Sequence, residues 1–216
     1  MWLGTGFRRD VLPSLSNLVL GYLTGVIAGV AVGLLLGQIE LLRLIIQPLV
    51  SFALTVPPIA LLPLFLIALG IGDTMQRSVI AVAVFFVMVV NTVTGVLDTD
   101  PLLQDMSRSY GIRGARRVVQ VVVPAAATSI LAGARVGVSV ALLVMVVGEM
   151  MGAANGIGAK TLLAQQGFGY DQMWAGVVLL AVLGVALNLL FVLLERRLLR
   201  RLGSAEESQS LSQGGR

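Results

Sequence analysis

Apolar positions along this chain come in long unbroken runs rather than in short alternating stretches. Runs at 17–36, 49–71, 78–97, 125–151 and 173–194 carry few charges. A helix of about 20 residues is ~30 Å long, the thickness of the hydrocarbon core of a bilayer. The pattern therefore predicts an all-α integral membrane protein, a polytopic bundle of about five transmembrane helices. Strands of a membrane barrel would alternate over ~10-residue segments, and that pattern is missing. Polar, glycine-bearing segments separate the runs. Residues 105–126 read DMSRSYGIRGARRVVQVVVPAA, and 152–172 read GAANGIGAKTLLAQQGFGYDQ, with a short helix expected near 159–166. Residues 203–216, GSAEESQSLSQGGR, are too polar to bury a core and read as a disordered tail.

Composition sharpens this picture. Of 216 residues, 57% are hydrophobic and 12% charged, with a mean hydropathy of +0.95. A soluble fold has no way to hide so much apolar surface. The net charge of +4 would suit nucleic acid, but the arginines are better explained by membrane topology. There is no cysteine and no histidine. Disulfides, thiolate nucleophiles, haem attachment, serine–histidine catalysis and nearly every zinc site are excluded on residue type. No catalytic, metal or cofactor-binding residues are assigned.

Arginines cluster in alternate connections. Arg43 follows the first span, Arg108, Arg113, Arg116 and Arg117 follow the third, and Arg196, Arg197, Arg200 and Arg201 follow the fifth. The other connections hold Arg77 (72–77) and Lys160 (152–172). The excess of positive charge marks the cytoplasmic side, so the C-terminus is expected there. Alternation then puts Arg8 and Arg9 outside. A further span ahead of them would remove the anomaly; tolerated terminal arginines are the other explanation.

Three features inside the spans stand out. Gly21, Gly25, Gly29, Gly33 and Gly37 recur every fourth position, a pattern that lets helix backbones approach closely in lipid. The second span carries Pro57, Pro58 and Pro63, which free backbone carbonyls and bend the helix; irregular backbone at membrane depth is tolerated where it is buried or lines a wet cavity. Arg135 and Glu149 share the fourth span. Fourteen residues place them ~21 Å apart along a helix, too far to pair. Intramembrane charge is expensive and points to function. Arg135 is a candidate cation on a pathway for anions, or a helix-packing or snorkelling side chain. Glu149 is a candidate external gate or a contact to the loop that follows. Asn91 joins the candidate pathway, and like Asn188 it is also able to bond across helices.

The 105–126 segment predicts a helix, a turn at Gly111, and a second short helix from about 112 to 122, with Pro124 in the first turn of the fourth span. Leu102, Leu103, Met106 and Tyr110 share one face at helical spacing. A basic loop held on lipid headgroups is the plainer alternative. The segment resembles the cytoplasmic loop of permease subunits of bacterial ABC importers, which reads E-A-A, three residues, G, nine residues, I-x-L-P. Here Asp105-Met106-Ser107, Gly111 and Val121-Val122-Val123-Pro124 stand at that spacing, with Asp for Glu, Met-Ser for Ala-Ala and Val for Ile and Leu. Residues 48–73, and those from Ala132 to the LLERRLLRR run, look like the nitrate/sulfonate/taurine/bicarbonate branch.

The resemblance covers about residues 10–202 and implies a type-I transmembrane domain (1–202) followed by the cytoplasmic tail (203–216). By comparison with the usual six helices, this chain looks short by the first. The loop is then a cytoplasmic coupling helix docking on a separate ATPase through Asp105, Ser109, Tyr110, Gly111, Arg113 and Pro124. The family implies an inner (plasma) membrane location in a prokaryote, a homodimer of permeases, an ABC ATPase dimer and an external solute-binding protein. No cofactor is expected in this chain, because ATP and Mg belong to the ATPase, and no GxxxxGK[ST] phosphate loop is present here. The chain is then a transport subunit and not an enzyme. It would move a small anion (sulfonate, taurine or nitrate) or a thiamine-precursor-like heterocycle by alternating access. A stand-alone secondary transporter is the competing class; it would call for coupling-ion carboxylates or paired repeats, and the chain shows no such repeat and only one clear intramembrane carboxylate, Glu149.

Overall fold

The computed structural model describes residues 7–153 and 155–213. Among the described residues nine α-helices run in the order α1 (Leu12–Gln38), α2 (Glu40–Thr55), α3 (Leu62–Leu69), α4 (Asp73–Leu97), α5 (Pro101–Ser109), α6 (Gly114–Arg117), α7 (Val123–Gly152), α8 (Ile157–Gln166) and α9 (Tyr170–Gln213). Among the described residues there is no strand. Four segments among the described residues are long and apolar enough to cross a membrane: Phe7–Gln38, Asp73–Leu97, Gly114–Gly152 and Tyr170–Arg197. A fifth is the pair Glu40–Thr55 and Pro58–Leu69. Four of the five expected spans are thus single membrane-length stretches, and the second makes a fifth if its bent halves are counted as one span.

The centre of the bundle is a sandwich of α1, α4 and α7. Steps of four along the glycine stripe of α1 are matched by steps of four along α4: a Cβ added at Gly21, Gly29, Gly33 or Gly37 would meet the Cβ of Ile80, Met88, Thr92 or Val96 at 2.8, 2.5, 2.5 and 2.6 Å. The two helices thus run side by side in the same direction, each in-register glycine admitting a branched or long side chain. On the opposite flank of α4, Gly133 faces Asn91 and Gly95 faces Ser129, so α7 runs antiparallel. Met75, Ile80, Met88, Val144 and Met145 form the buried core between them. The Tyr22 hydroxyl donates to the Ala134 carbonyl at 2.9 Å, tying α1 to α7.

This packing sorts the chain into two ends. At one lie the start of α1, the start of α4, the end of α7 and all of α8. At the other lie the ends of α1 and α4, the start of α2, and the α5–α6 loop. No residue of α2 is buried and none of the α9 membrane window is. Within a bilayer an apolar side chain left uncovered by the chain's own helices carries no penalty for exposure to water, so the two helices need little contact with the rest of the chain.

Four expectations change. The second span is not one kinked helix: its two halves meet at 87°, with Pro57 extended (φ −59°, ψ 127°) and a 3₁₀ turn at Pro58–Leu61 between them. Neither proline donates an N–H, so no helical bond crosses the junction from residues 57 and 58. Arg43 and Arg77 lie inside α2 and α4 rather than in loops. No break precedes the fourth span. Helix runs from Gly114 through a π turn at Val118–Val122 into α7, and the widened turn accommodates the Pro124 ring without ending the helix. Helix α9 continues to Gln213, through most of the segment read as a disordered tail. That segment has no proline, and Ala, Glu, Gln and Leu all favour helix; residues 214–216 lie outside the described ones.

Candidate functional site

Three polar or irregular regions interrupt the apolar bundle. The first is the loop between α5 and α6. The Asp100 carboxylate accepts from the Leu102 N–H at 2.8 Å at the start of α5. At the other end Gly111 takes φ +71°, and the Ile112 N–H reaches back to the Ser107 carbonyl at 2.9 Å. That bond spans five residues around a left-handed glycine and closes the helix as a Schellman turn. Nothing lies within 4 Å of a Cβ built at Gly111, so backbone conformation, not space, requires glycine there. The Ser109 hydroxyl bonds to the Asp105 carbonyl at 3.1 Å. Arg113 is extended (φ −128°, ψ 162°) and opens α6. Leu102, Leu103, Met106 and Tyr110 form the expected apolar face, and all four are exposed, Tyr110 by 77%. Pro124, also exposed, sits in the first turn of α7, about two helical turns further on.

The second region is the broken helix. A cavity of about 290 Å³ opens where Leu54, Val56 and Pro58 approach Phe86 on α4 and Val140 and Val144 on α7. Pro58 lines it; Pro57 and Pro63 are exposed and do not. The other candidate pathway residues are not gathered there. The Asn91 amide donates to the Val87 carbonyl at 2.8 Å, and its side chain packs on Gly133, a helix-to-helix contact. Arg135 is exposed on the flank of α7. It shares a face with Ser139 and Leu142, which line a separate open groove facing α9 and Asn188.

The third region is a polar clasp at the α8 end, of which sequence reading found only Glu149. That residue is 1% exposed, and its carboxylate accepts from the Gly158 N–H at 2.8 Å. Beside it the Ile157 N–H donates to the Ser14 hydroxyl at 3.2 Å, and Ser14 in turn bonds to the Asp10 carbonyl at 2.8 Å. Asp10 is fully buried and ion-paired with Lys160 of α8. Its other oxygen faces the Gly156 N–H at 3.5 Å. Two carboxylates and a hydroxyl thus collect the first amides of α8, satisfying donors that a helix start leaves open and complementing its dipole. Glycine is required at 156, where φ is +134° and a Cβ would lie 2.6 Å from the Glu149 carboxyl carbon.

Below the clasp, the Asn17 amide donates to Asp73 and Gln76, each at 2.9 Å. The Asn17 oxygen accepts from the Arg77 guanidinium at 2.7 Å. Asp10, Ser14 and Asn17 continue the glycine stripe of α1 in phase, and that periodicity is the signal by which the group was findable. Arg9 bonds to Asn155 of the connection between α7 and α8 at 3.1 Å. The segment around Arg8 and Arg9 therefore belongs to the α8 end, opposite the α5–α6 loop.

The arrangement is that of a membrane bundle with a projecting helical loop at one end and, among the described residues, no group of His, Cys, Asp and Glu side chains that could hold a metal ion. Comparison with known proteins agrees. The family described as "Binding-protein-dependent transport system inner membrane component" matches residues 7–203. The taurine transport system permease protein TauC of Escherichia coli (strain K12) is 30% identical over 190 residues, covering 88% of this chain and 69% of that one. The nitrate import permease protein NrtB of Synechocystis sp. is 24% identical over 190 residues, with the same coverage of each. In fold, the chain is similar to a chain of the MetNI methionine ABC transporter in inward-facing form, with a TM-score of 0.75, 24% identity, and coverage of 94% of this chain and 97% of that one. A projecting loop on an apolar bundle and a family match over nearly its whole length lead to one conclusion: this chain belongs to the binding-protein-dependent transport system inner membrane components, the permease subunits of ABC transporters.

Proposed function

We propose that this permease carries a small oxyanion of the sulfonate, taurine or nitrate class into the cytoplasm, and that its α5–α6 loop docks on a separate ATPase subunit. The observation that carries the docking is the uncovered apolar face of α5, with Tyr110 at its tip beside the Gly111 turn. An exposed aromatic next to a basic side chain such as Arg113, on a rigid turn, is a common kind of interface anchor. The arginine-rich loop end faces the cytoplasm under the positive-inside rule. Two copies of the chain flank one path, and a solute-binding protein delivers cargo at the α8 end. ATP hydrolysis happens in the partner; this chain converts closure of the ATPases into a change of access. The substrate class rests on the relatives' own cargoes.

Co-purification of the full chain with the ATPase subunit from its own operon tests the docking. Tyr110→Ala and Gly111→Pro should each lower the ATPase retained by about tenfold, the loss of one strong anchor. Undiminished complex formation by both variants, each monodisperse in detergent, rejects it. In vesicles holding the full assembly, labelled taurine should accumulate only with ATP and be displaced by other sulfonates or by nitrate.

A further inference from the structure

Two cavities follow one another along the seam between α2 and α4. The first is the apolar chamber at the helix break. The second, about 190 Å³, lies toward the loop end, between the final turns of α1 and α4 at Leu36 and Leu97 and the first three turns of α2. Leu54 lines both, and it is 45% exposed. The character of the seam changes across it. No polar side chain lines the first cavity, whereas Arg43, Gln47 and Ser51 line the second, with Thr94 on the α4 side.

Steps of four residues drift only ~40° around a helix, so Arg43, Gln47 and Ser51 form one stripe on α2. Among the described residues, Arg43 is the only charged side chain lining either cavity. Among the described residues, none of the three side chains makes a hydrogen bond or an ion pair. A cation without a partner beside apolar helices is costly and draws an anion. A guanidinium, an amide NH2 and a hydroxyl at successive turns can each donate a hydrogen bond to an oxyanion.

We propose that the Arg43–Gln47–Ser51 stripe is the vestibule through which a small oxyanion leaves toward the loop end, and that Leu54 is the apolar constriction dividing it from the chamber at the break. This deepens the transport reading above and rests on it. The ligand chemistry is a sulfonate- or nitrate-like oxyanion; an anionic lipid headgroup shares that chemistry, and the test separates the two.

The chain has no cysteine, so a single introduced thiol reports on its own surroundings. In the full assembly in phosphatidylcholine vesicles, Gln47→Cys and Ser51→Cys are exposed to a methanethiosulfonate bearing an ethylsulfonate, and to its trimethylammonium counterpart. Modification is read on this chain by mass spectrometry. The anionic reagent should react faster, and Arg43→Gln should lower the anionic-to-cationic rate ratio by about tenfold, as expected for one nearby unit charge. Absence of modification, or a ratio untouched by Arg43→Gln, overturns the vestibule. Suppression of labelling when phosphatidylglycerol is added to the vesicles also overturns it and assigns the stripe to lipid. Leu54→Ala should speed modification of Val140→Cys in the chamber; an unchanged rate removes the constriction. ATPase retention is measured on the same preparations. Failed labelling with the ATPase retained sinks only this inference, whereas loss of ATPase from unmodified chain sinks the docking reading beneath it.

Discussion

Gly33 of α1 and Thr92 of α4 lie so close that a methyl group built on the glycine would come within 2.5 Å of the threonine Cβ. Neither backbone can give way alone, because the same approach is repeated a turn above and below. Gly33→Ala should therefore destabilise the bundle by about 1–3 kcal/mol, the usual cost of overpacking. Ala28→Leu, on the exposed side of the same helix, should change little. Thermal unfolding in detergent distinguishes the two.

At the α5–α6 loop the requirement is conformational. Gly111→Val should cost about 1–2 kcal/mol in the left-handed region, while Gly111→Asn should be better tolerated. The effect should be local: faster hydrogen exchange at the Ile112 amide, whose bond to Ser107 closes the turn, with amides of α4 unaffected. Equal exchange in all three proteins would remove the conformational argument.

The Asp10–Lys160 pair is unequally buried. Asp10 has no exposure, whereas the Lys160 side chain is 27% exposed. Lys160→Met leaves a carboxylate with no water and no counter-charge and should cost about 3–5 kcal/mol. Asp10→Asn leaves a lysine able to reach solvent and should cost less. The double variant should recover part of the loss. A cycle of unfolding free energies measures all four corners, and a Lys160→Met effect no larger than that of Asp10→Asn would contradict the asymmetry.

Glu149 serves the α8 start as an acceptor. Glu149→Gln keeps an oxygen for the Gly158 N–H, so it should be mild. Glu149→Leu leaves that buried donor unmet and should cost about 1–3 kcal/mol. Protease cutting between α7 and α8 should rise in the leucine variant alone; similar cutting in both would assign the carboxylate another purpose.

Much of this was legible along the chain because lipid imposes a length. A run of about 20 apolar residues has few alternatives to a span, and Gly21 to Gly37 announce a close helix neighbour by spacing alone. The neighbour's identity was not legible, since nothing local ties Gly33 to Thr92. The proline pair at 57 and 58 signalled irregular backbone, but not the 87° angle at which the two halves meet. Arg43 was read as a loop residue because hydropathy treats an arginine as a boundary; α2 in fact begins at Glu40, and the arginine rides on its first turns. Asp10 and Lys160 lie far apart in the chain, so neither looked unusual by itself. Gly111 was readable because its need is intrinsic to one residue's backbone.

The matched four-residue teeth of α1 and α4 also limit how the molecule can move. Sliding one helix past the other would force each tooth over a ridge, and the next seat lies about 6 Å away, four residues of rise. Small displacements are thus refused, and the pair behaves as a stiff strut. The α1–α4 pair thus holds the α5–α6 end and the clasp around α8 at a fixed separation, whereas the break between α2 and α3 interrupts the second span.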